Sequence, residues 1–318
     1  MNGLSKGSAT WTEIDDAAHD QRIDNYLLKT LKGVPKSHVY RILRSGQVRV
    51  NSRRVDADYR LRQGDRVRIP PVRVATPGTN RRPPAGPVAQ TLFEDEWLLA
   101  IDKPSGLAVH GGSGVSFGAI EALRAARPEA RFLELVHRLD RDTSGVLLLA
   151  KKRPALVAMH AQLREGRVDK RYLVLVAGNW SEARRKVVLP LHKFVNRSGE
   201  RRVVVDEQEG AAAHTVFRLV RHLAGYTLLE AELKTGRTHQ IRVHLSHLGF
   251  PIAGDDKYGD FEANRALAKT GLKRMFLHAA SMRFSHPAGG ERVRIEAPLP
   301  PELERFLADL ARNPVQSA

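Results

Sequence analysis

The chain of 318 residues contains no cysteine. That absence removes disulfides, thiolate zinc sites, iron–sulfur clusters and every mechanism built on a cysteine nucleophile, cysteine-dependent methylation of RNA pyrimidines included. Long apolar runs are missing too. Stretches such as Gly145-Val146-Leu147-Leu148-Leu149-Ala150 fall far short of the roughly 20 residues a membrane span needs. The first nine residues hold Lys6 but no apolar core or cleavage-like pattern, so no secretion signal is expected and the cytoplasm is the expected compartment. The run Gly111-Gly112-Ser113-Gly114-Val115-Ser116-Phe117-Gly118 lacks the P-loop lysine and the dinucleotide spacing, and reads as a flexible loop facing substrate. His239, His244 and His247, read on a strand or irregular segment, share no fixed face and have no carboxylate to complete a ligand set. No metal is expected.

What the chain has in excess is positive charge: 52 Lys and Arg against 35 Asp and Glu, a net +17. Such a field favours a polyanion, and with no spanning segment the partner expected is nucleic acid. The charge is uneven. Residues 20–75 hold 14 Lys and Arg against five Asp, a net +9. In this stretch Ile23, Leu27 and Leu31 recur at helical spacing, and Val39, Ile42 and Leu43 mark a second helix that Gly46 stops. Val48 and Val50 then alternate with polar residues, Asn51-Ser52 makes a turn, and Val67 and Ile69 resume the alternation after Gln63-Gly64-Asp65. Lys36, Arg41, Arg44, Arg49, Arg53 and Arg54 lie on the second helix and the turn after it, where they can neutralise phosphates or simply form a solvated basic surface. Arg22-Ile23-Asp24, Val34-Pro35-Lys36-Ser37, Arg41-Ile42-Leu43-Arg44-Ser45-Gly46, Val48-Arg49-Val50-Asn51 and Gly64-Asp65-Arg66-Val67 together resemble the S4-like RNA-binding domain. That resemblance favours the first reading.

The expected organisation is an N-terminal extension (1–19), the S4-like domain (20–75), a linker (76–89), a larger domain (90–312) and a tail (313–318). The linker is rich in proline and glycine and suits an extended tether. From residue 90 onward the pattern is rich in strands with interspersed helices: Trp97-Leu98-Leu99-Ala100-Ile101, Val146 to Ala150, Tyr172 to Val176, Val216 to Val220 and Tyr226 to Leu233. The class expected is α+β, a small basic domain followed by one with a mixed, largely antiparallel sheet.

Asp140 and Asp142 stand in a polar stretch that leads straight into the apolar run at residues 145–150. Two neighbouring carboxylates raise the idea of a retaining glycosidase. Two residues apart on one segment, they make a poor acid and nucleophile pair; a loop aspartate that caps its neighbours is the bland alternative. Three further segments bear on the choice: Asp102-Lys103-Pro104-Ser105-Gly106, Asp169-Lys170-Arg171-Tyr172, and Thr235-Gly236-Arg237-Thr238-His239-Gln240-Ile241-Arg242-Val243-His244, the last followed by Gly254-Asp255 and Tyr258-Gly259. With Val136-His137-Arg138-Leu139-Asp140-Arg141-Asp142-Thr143-Ser144-Gly145, and in this order, they resemble the catalytic domain of the large-subunit ribosomal RNA pseudouridine synthases.

The resemblance implies an isomerase that converts uridine to pseudouridine in 23S ribosomal RNA or a large-subunit precursor. It implies no cofactor, no nucleotide and no membrane, and a monomer is expected. Asp140 matches the family's catalytic nucleophile, Arg242 the arginine that pairs with it, and Tyr172 the tyrosine that packs on the uracil ring. Arg138 matches the arginine that fills the gap left by the extruded uridine. His137 and Thr143 belong to the same motif and are expected at the substrate. A catalytically silent RNA-binding or ribosome-assembly factor on the same fold is the second functional class, disfavoured by the presence of Asp140, Tyr172 and Arg242 together.

Overall fold

The structure is a computed structural model, and it describes residues 9–31, 34–72, 89–111, 117–196 and 200–312. The chain divides into two compact units, Met1–Arg82 and Pro83–Ala318. Nearly all of the expected linker, the central part of the glycine-rich loop and the tail lie outside the described residues.

In the first unit the two expected helices are Ile23–Thr30 and Lys36–Arg44. Ile23, Leu27, Val39, Ile42 and Leu43 meet Val48, Val50, Val67 and Ile69 in one apolar core. Arg22 and Asp24 pair at 2.8 Å, and the Tyr40 hydroxyl donates to the same carboxylate at 3.0 Å, tying one helix to the other. Asn51 and Ser52 both have positive φ, 49° and 67°, the pattern of a two-residue hairpin turn. Val50 and Arg53 exchange backbone hydrogen bonds of 3.0 and 2.9 Å across it. One departure from expectation lies upstream: Thr10–Glu13, placed in the extension, is a strand paired antiparallel with Arg66–Ile69, and Ile14 and Ala18 enter the core. Its side chains are largely exposed, so the strand carries no apolar alternation and is held by its backbone.

The second unit is built on a mixed, mostly antiparallel sheet. Its strands run in the order Gln90–Glu94, Leu98–Lys103, Ser144–Ala150, Leu277–Ser285, Asp169–Ala177, Tyr226–Leu233, His214–Leu223, Arg184–Val188. Arg292–Glu296 pairs with Leu277–Ser285, and Glu134–Leu135 with Ser144–Ala150. Central strands here are apolar without alternation because both faces are covered. Val146, Leu148 and Ala150 pack with Leu156 and Met159 of the helix Arg153–Arg164, while Leu147 and Leu149 pack with Ile120 and Leu123 of Ala119–Ala126.

The sheet changes sense at one place. Ser144–Ala150 meets Leu277–Ser285 in parallel over only two positions, His278 opposite Ser144 and Ala279 opposite Gly145. Gly145 has φ +107°, and a Cβ there would lie 2.2 Å from the Ala279 carbonyl oxygen. Only glycine permits both that dihedral and that approach. Ser144 completes the junction: its Oγ accepts from Arg274 Nη2 at 2.7 Å and lies 2.9 Å from His278 Nδ1. The other ring nitrogen of His278 is 3.2 Å from the Ala297 carbonyl, and burial pushes this histidine down to about 4, so the ring is neutral.

Candidate active site

The loop that carries Asp140 is fixed almost entirely through its backbone. Lys103, with no exposed surface, donates to the carbonyls of Pro104, Leu107 and Arg141 at 2.9, 2.7 and 2.9 Å. These use all three of its protons. Gly106 N donates to Arg141 O at 2.9 Å and Ser105 Oγ to Asp142 O at 2.8 Å. The turn after Leu98–Lys103 thus clamps the two carbonyls that follow Asp140, and Thr143 N closes the loop on Asp140 O at 3.2 Å. Sequence reading assigned no role to Lys103 or Ser105. The available signal was a lysine placed in a Pro/Gly turn directly after an apolar strand.

The carboxylate of Asp140 is 18% exposed and faces a cluster carried by residues 239–258. Arg242 Nη1 lies 3.4 Å from Asp140 Oδ2, the contact the family resemblance implies. The better part of the guanidinium goes elsewhere, however. Its Nε and Nη2 donate to the two oxygens of Asp255, both at 2.7 Å, a bidentate pair almost wholly buried. Burial alone would raise Asp255; the bonds from Arg242, with Lys257 N and Tyr258 N at 2.8 and 3.0 Å, outweigh it and hold the carboxyl below its ordinary value. Arg242 therefore reaches Asp140 from an anchored position. Asp255 is a functional residue that the sequence reading quoted without assigning it.

Arg242 stands on the helix Gln240–His247, entered through His239 in a left-handed conformation, φ 54°. This corrects the expectation of a strand or irregular segment. His244 bonds Thr215 Oγ1 and Leu189 O, each at 3.0 Å, while His247 is exposed, so the three histidines point to different surroundings. His239 Nδ1 lies 2.8 Å from Tyr258 Oη, and that oxygen already accepts from Val203 N at 3.1 Å. The other ring nitrogen, Nε2, lies 3.9 Å from Asp140 Oδ2. Burial lowers His239, consistent with a neutral ring.

Tyr172, 6% exposed, lies mid-sheet between Ala231 and Ala279. Burial first, and the nearby Asp140 second, raise its phenol, which stays protonated. Tyr172, Leu139, Leu233, Ile241 and Leu277 line a narrow slot of about 80 Å³ with Asp140 in its wall. Asp140 also borders an open cleft of about 410 Å³ whose wall mixes charges, Arg138, Arg141 and Lys257 with Asp142, Glu200 and Asp256. Arg138 is exposed at the boundary of both, and Thr143, 2% exposed, lines the slot. His137 turns away from it: its Nε2 accepts from Leu148 N at 3.1 Å, and burial, then the charge of Lys170, push it down to about 4. It is a neutral brace for the strand rather than an RNA contact. The Asp142 carboxylate pairs with Arg141 at 3.0 Å.

In the first unit Lys36, Arg41, Arg44, Arg49, Arg53 and Arg54 are all exposed. Arg49 Nε and Arg54 Nη2 hold the carbonyls of Gly46 and Ser45 at 3.4 and 2.9 Å, and Arg44 Nε that of Tyr40 at 3.4 Å. These partners are neutral, so the charges remain available to an anion.

A carboxylate anchored by a buried arginine, set where a small slot lined by Tyr172 meets an open cleft, suits an enzyme that works on a base of RNA, and comparison with known proteins shows the family. The family model for RNA pseudouridylate synthase matches residues 97–247 and that for the S4 domain residues 21–67. The chain is 56% identical over 297 residues to ribosomal large subunit pseudouridine synthase C of Escherichia coli K12, covering 91% of this chain and 93% of that protein. It is 56% identical over 295 residues to the protein of the same name from Pasteurella multocida, covering 91% and 90%. The solved structure of human RNA pseudouridylate synthase domain containing 1 superposes with a TM-score of 0.57 at 26% identity, covering 70% of this chain and 90% of that one. This chain belongs to the RNA pseudouridylate synthase family, with an S4 domain ahead of the catalytic one.

Proposed function

We propose that this pseudouridine synthase acts on large-subunit ribosomal RNA as a C-type enzyme, with Asp140 as its nucleophile. The observation that carries the reading is the position of Asp140, in the walls of both the Tyr172 slot and the open cleft. A uracil ring in the slot, stacked on Tyr172, leaves its ribose and phosphates on the cleft side, so the bond between them passes the carboxylate. The reaction breaks the link from ribose carbon 1′ to uracil nitrogen 1, turns the base and joins carbon 1′ to carbon 5. The proton on carbon 5 leaves and nitrogen 1 gains one, so electrons and atoms balance without a redox cofactor or nucleotide. Asp140 traps or stabilises the separated fragment. Arg242, fixed by Asp255, orients the carboxylate and favours its charged form. Leu139, Leu233, Ile241 and Leu277 beside Tyr172 limit water around the separated fragment.

The names of the relatives and the runs Val109-His110-Gly111-Gly112 and Leu135-Val136-His137-Arg138-Leu139-Asp140 support the C type; the D type is the alternative. The S4 domain supplies the exposed basic face for RNA. We place the protein in the cytoplasm as a monomer; among the described residues no helix is long and apolar enough to cross a membrane. The test is a pseudouridine map of a 23S transcript treated with wild-type or Asp140→Asn protein, read by carbodiimide and reverse-transcription stops. New stops at wild-type-treated uridines only are expected. No stops at all would defeat the enzyme reading; stops at D-type uridines would defeat the C assignment alone.

A further inference from the structure

Lys170 is the second residue of the strand Asp169–Ala177, on the same face as Tyr172. It is 8% exposed. Its neighbour Arg171 takes the carboxylates, with Asp169 and Glu230 each at 2.8 Å. Lys170 itself has no hydrogen bond or ion pair among the described residues, and burial alone acts on its ammonium, lowering it. A buried cation with three donors and no partner is costly to keep. The space over Gly236 is open and the ammonium borders it: a Cβ on Gly236 would meet Lys170 Nζ at 3.9 Å and nothing else within 4 Å. Gly236, Arg237 and Arg138 all line the slot beside Asp140, and both arginines are exposed. Arg237 is steadied by Nε donating to Ala212 O at 3.0 Å.

We propose that Lys170, with Arg138 and Arg237, forms an anion seat above Gly236 that takes one phosphate of the RNA strand bearing the target uridine. The seat rests on the reading of RNA as substrate and adds to it where the backbone passes. The phosphate supplies the counter-charge that the protein withholds, so the ammonium is neutralised only when RNA is bound. Gly236 contributes by having no side chain to fill the space.

Lys170→Met keeps the apolar stem and removes the charge. Because nothing among the described residues pairs with that charge, the variant is expected to melt no lower than wild type. Its affinity for a large-subunit RNA transcript is expected to fall about tenfold at low salt, with the slope of log K against log salt flatter by about 0.7, one phosphate contact on a single strand. KM should rise more than kcat falls, and Lys170→Arg should recover part of the loss. Gly236→Ala, which meets no atom closer than 3.9 Å, should also weaken RNA binding at unchanged Tm. Equal affinity and equal salt slope for Lys170→Met and wild type would overturn the seat, as would a lowered Tm with binding intact, which marks a packing role. If wild type makes no pseudouridine in any large-subunit transcript, the substrate reading fails instead, and the salt slopes still decide the seat.

Discussion

Two sets of arginines, one from each unit, are put to opposite uses. In the S4 domain, Arg44, Arg49 and Arg54 lie exposed and lean on neutral carbonyls, leaving their charge for a partner. In the catalytic domain, Arg242 is 5% exposed and spends its fork on Asp255. The first kind supplies attraction that salt screens; the second supplies geometry that salt hardly touches. A residue's contribution here is decided by whether its counter-ion is built into the protein or arrives with the RNA.

The largest effect expected on this contrast concerns chemistry alone. Asp140→Asn should lower pseudouridine formation by at least about 10³-fold while RNA affinity and Tm stay within error. A comparable loss of RNA binding would mean that the centre is not separable from the docking face. Next comes Asp255→Ala, which strands the buried guanidinium. It should cost about 3–5 kcal/mol in urea unfolding, against less than about 0.5 kcal/mol for Arg53→Gln on the surface. Similar costs for the two would erase the distinction.

Acid provides a gentler probe. The folded Asp255 carboxyl lies below its unfolded value of about 3.9, so its stabilisation is complete above that pH and is lost as pH falls through the lower folded value. Wild-type stability should therefore drop steeply below about pH 4. Asp255→Asn should lack that share of the slope. The smallest effect belongs to the S4 face, where each of Arg41→Gln, Arg44→Gln and Arg49→Gln should flatten the salt slope of RNA binding by about 0.7–0.9. Titrating the three across salt concentrations checks it.

How far sequence reading reached follows the same division. Exposed basic residues on an amphipathic helix announce themselves, and so did Ile23, Leu27, Val39 and Ile42, because local periodicity and core burial agree there. The helix Gln240–His247 misled for a physical reason. It is buried from Gln240 through Leu245 on every side, so it has no polar face to set a 3.6-residue period, while Gln240-Ile241-Arg242-Val243-His244-Leu245 alternates like a strand. Thr10–Glu13 escaped notice because its hold is backbone pairing. Lys103 and Asp255 act through contacts 38 and 13 residues away, which no local pattern encodes. The family resemblance pointed to Asp140, Tyr172 and Arg242, which the fold brings to one slot, and the geometry shows that the arginine's main partner is Asp255.

The meeting of Gly145 with the Ala279 carbonyl bears on portability. The nine residues from His137 to Gly145 look like a cassette, yet their shape is borrowed from Lys103, from Ser105 and above all from a strand more than a hundred residues downstream. Transplanted to another scaffold without Leu277–Ser285 beside it, the segment would keep its letters and lose its form. The unit that could be moved or redesigned is the seam, with both strands and the turn that pins them.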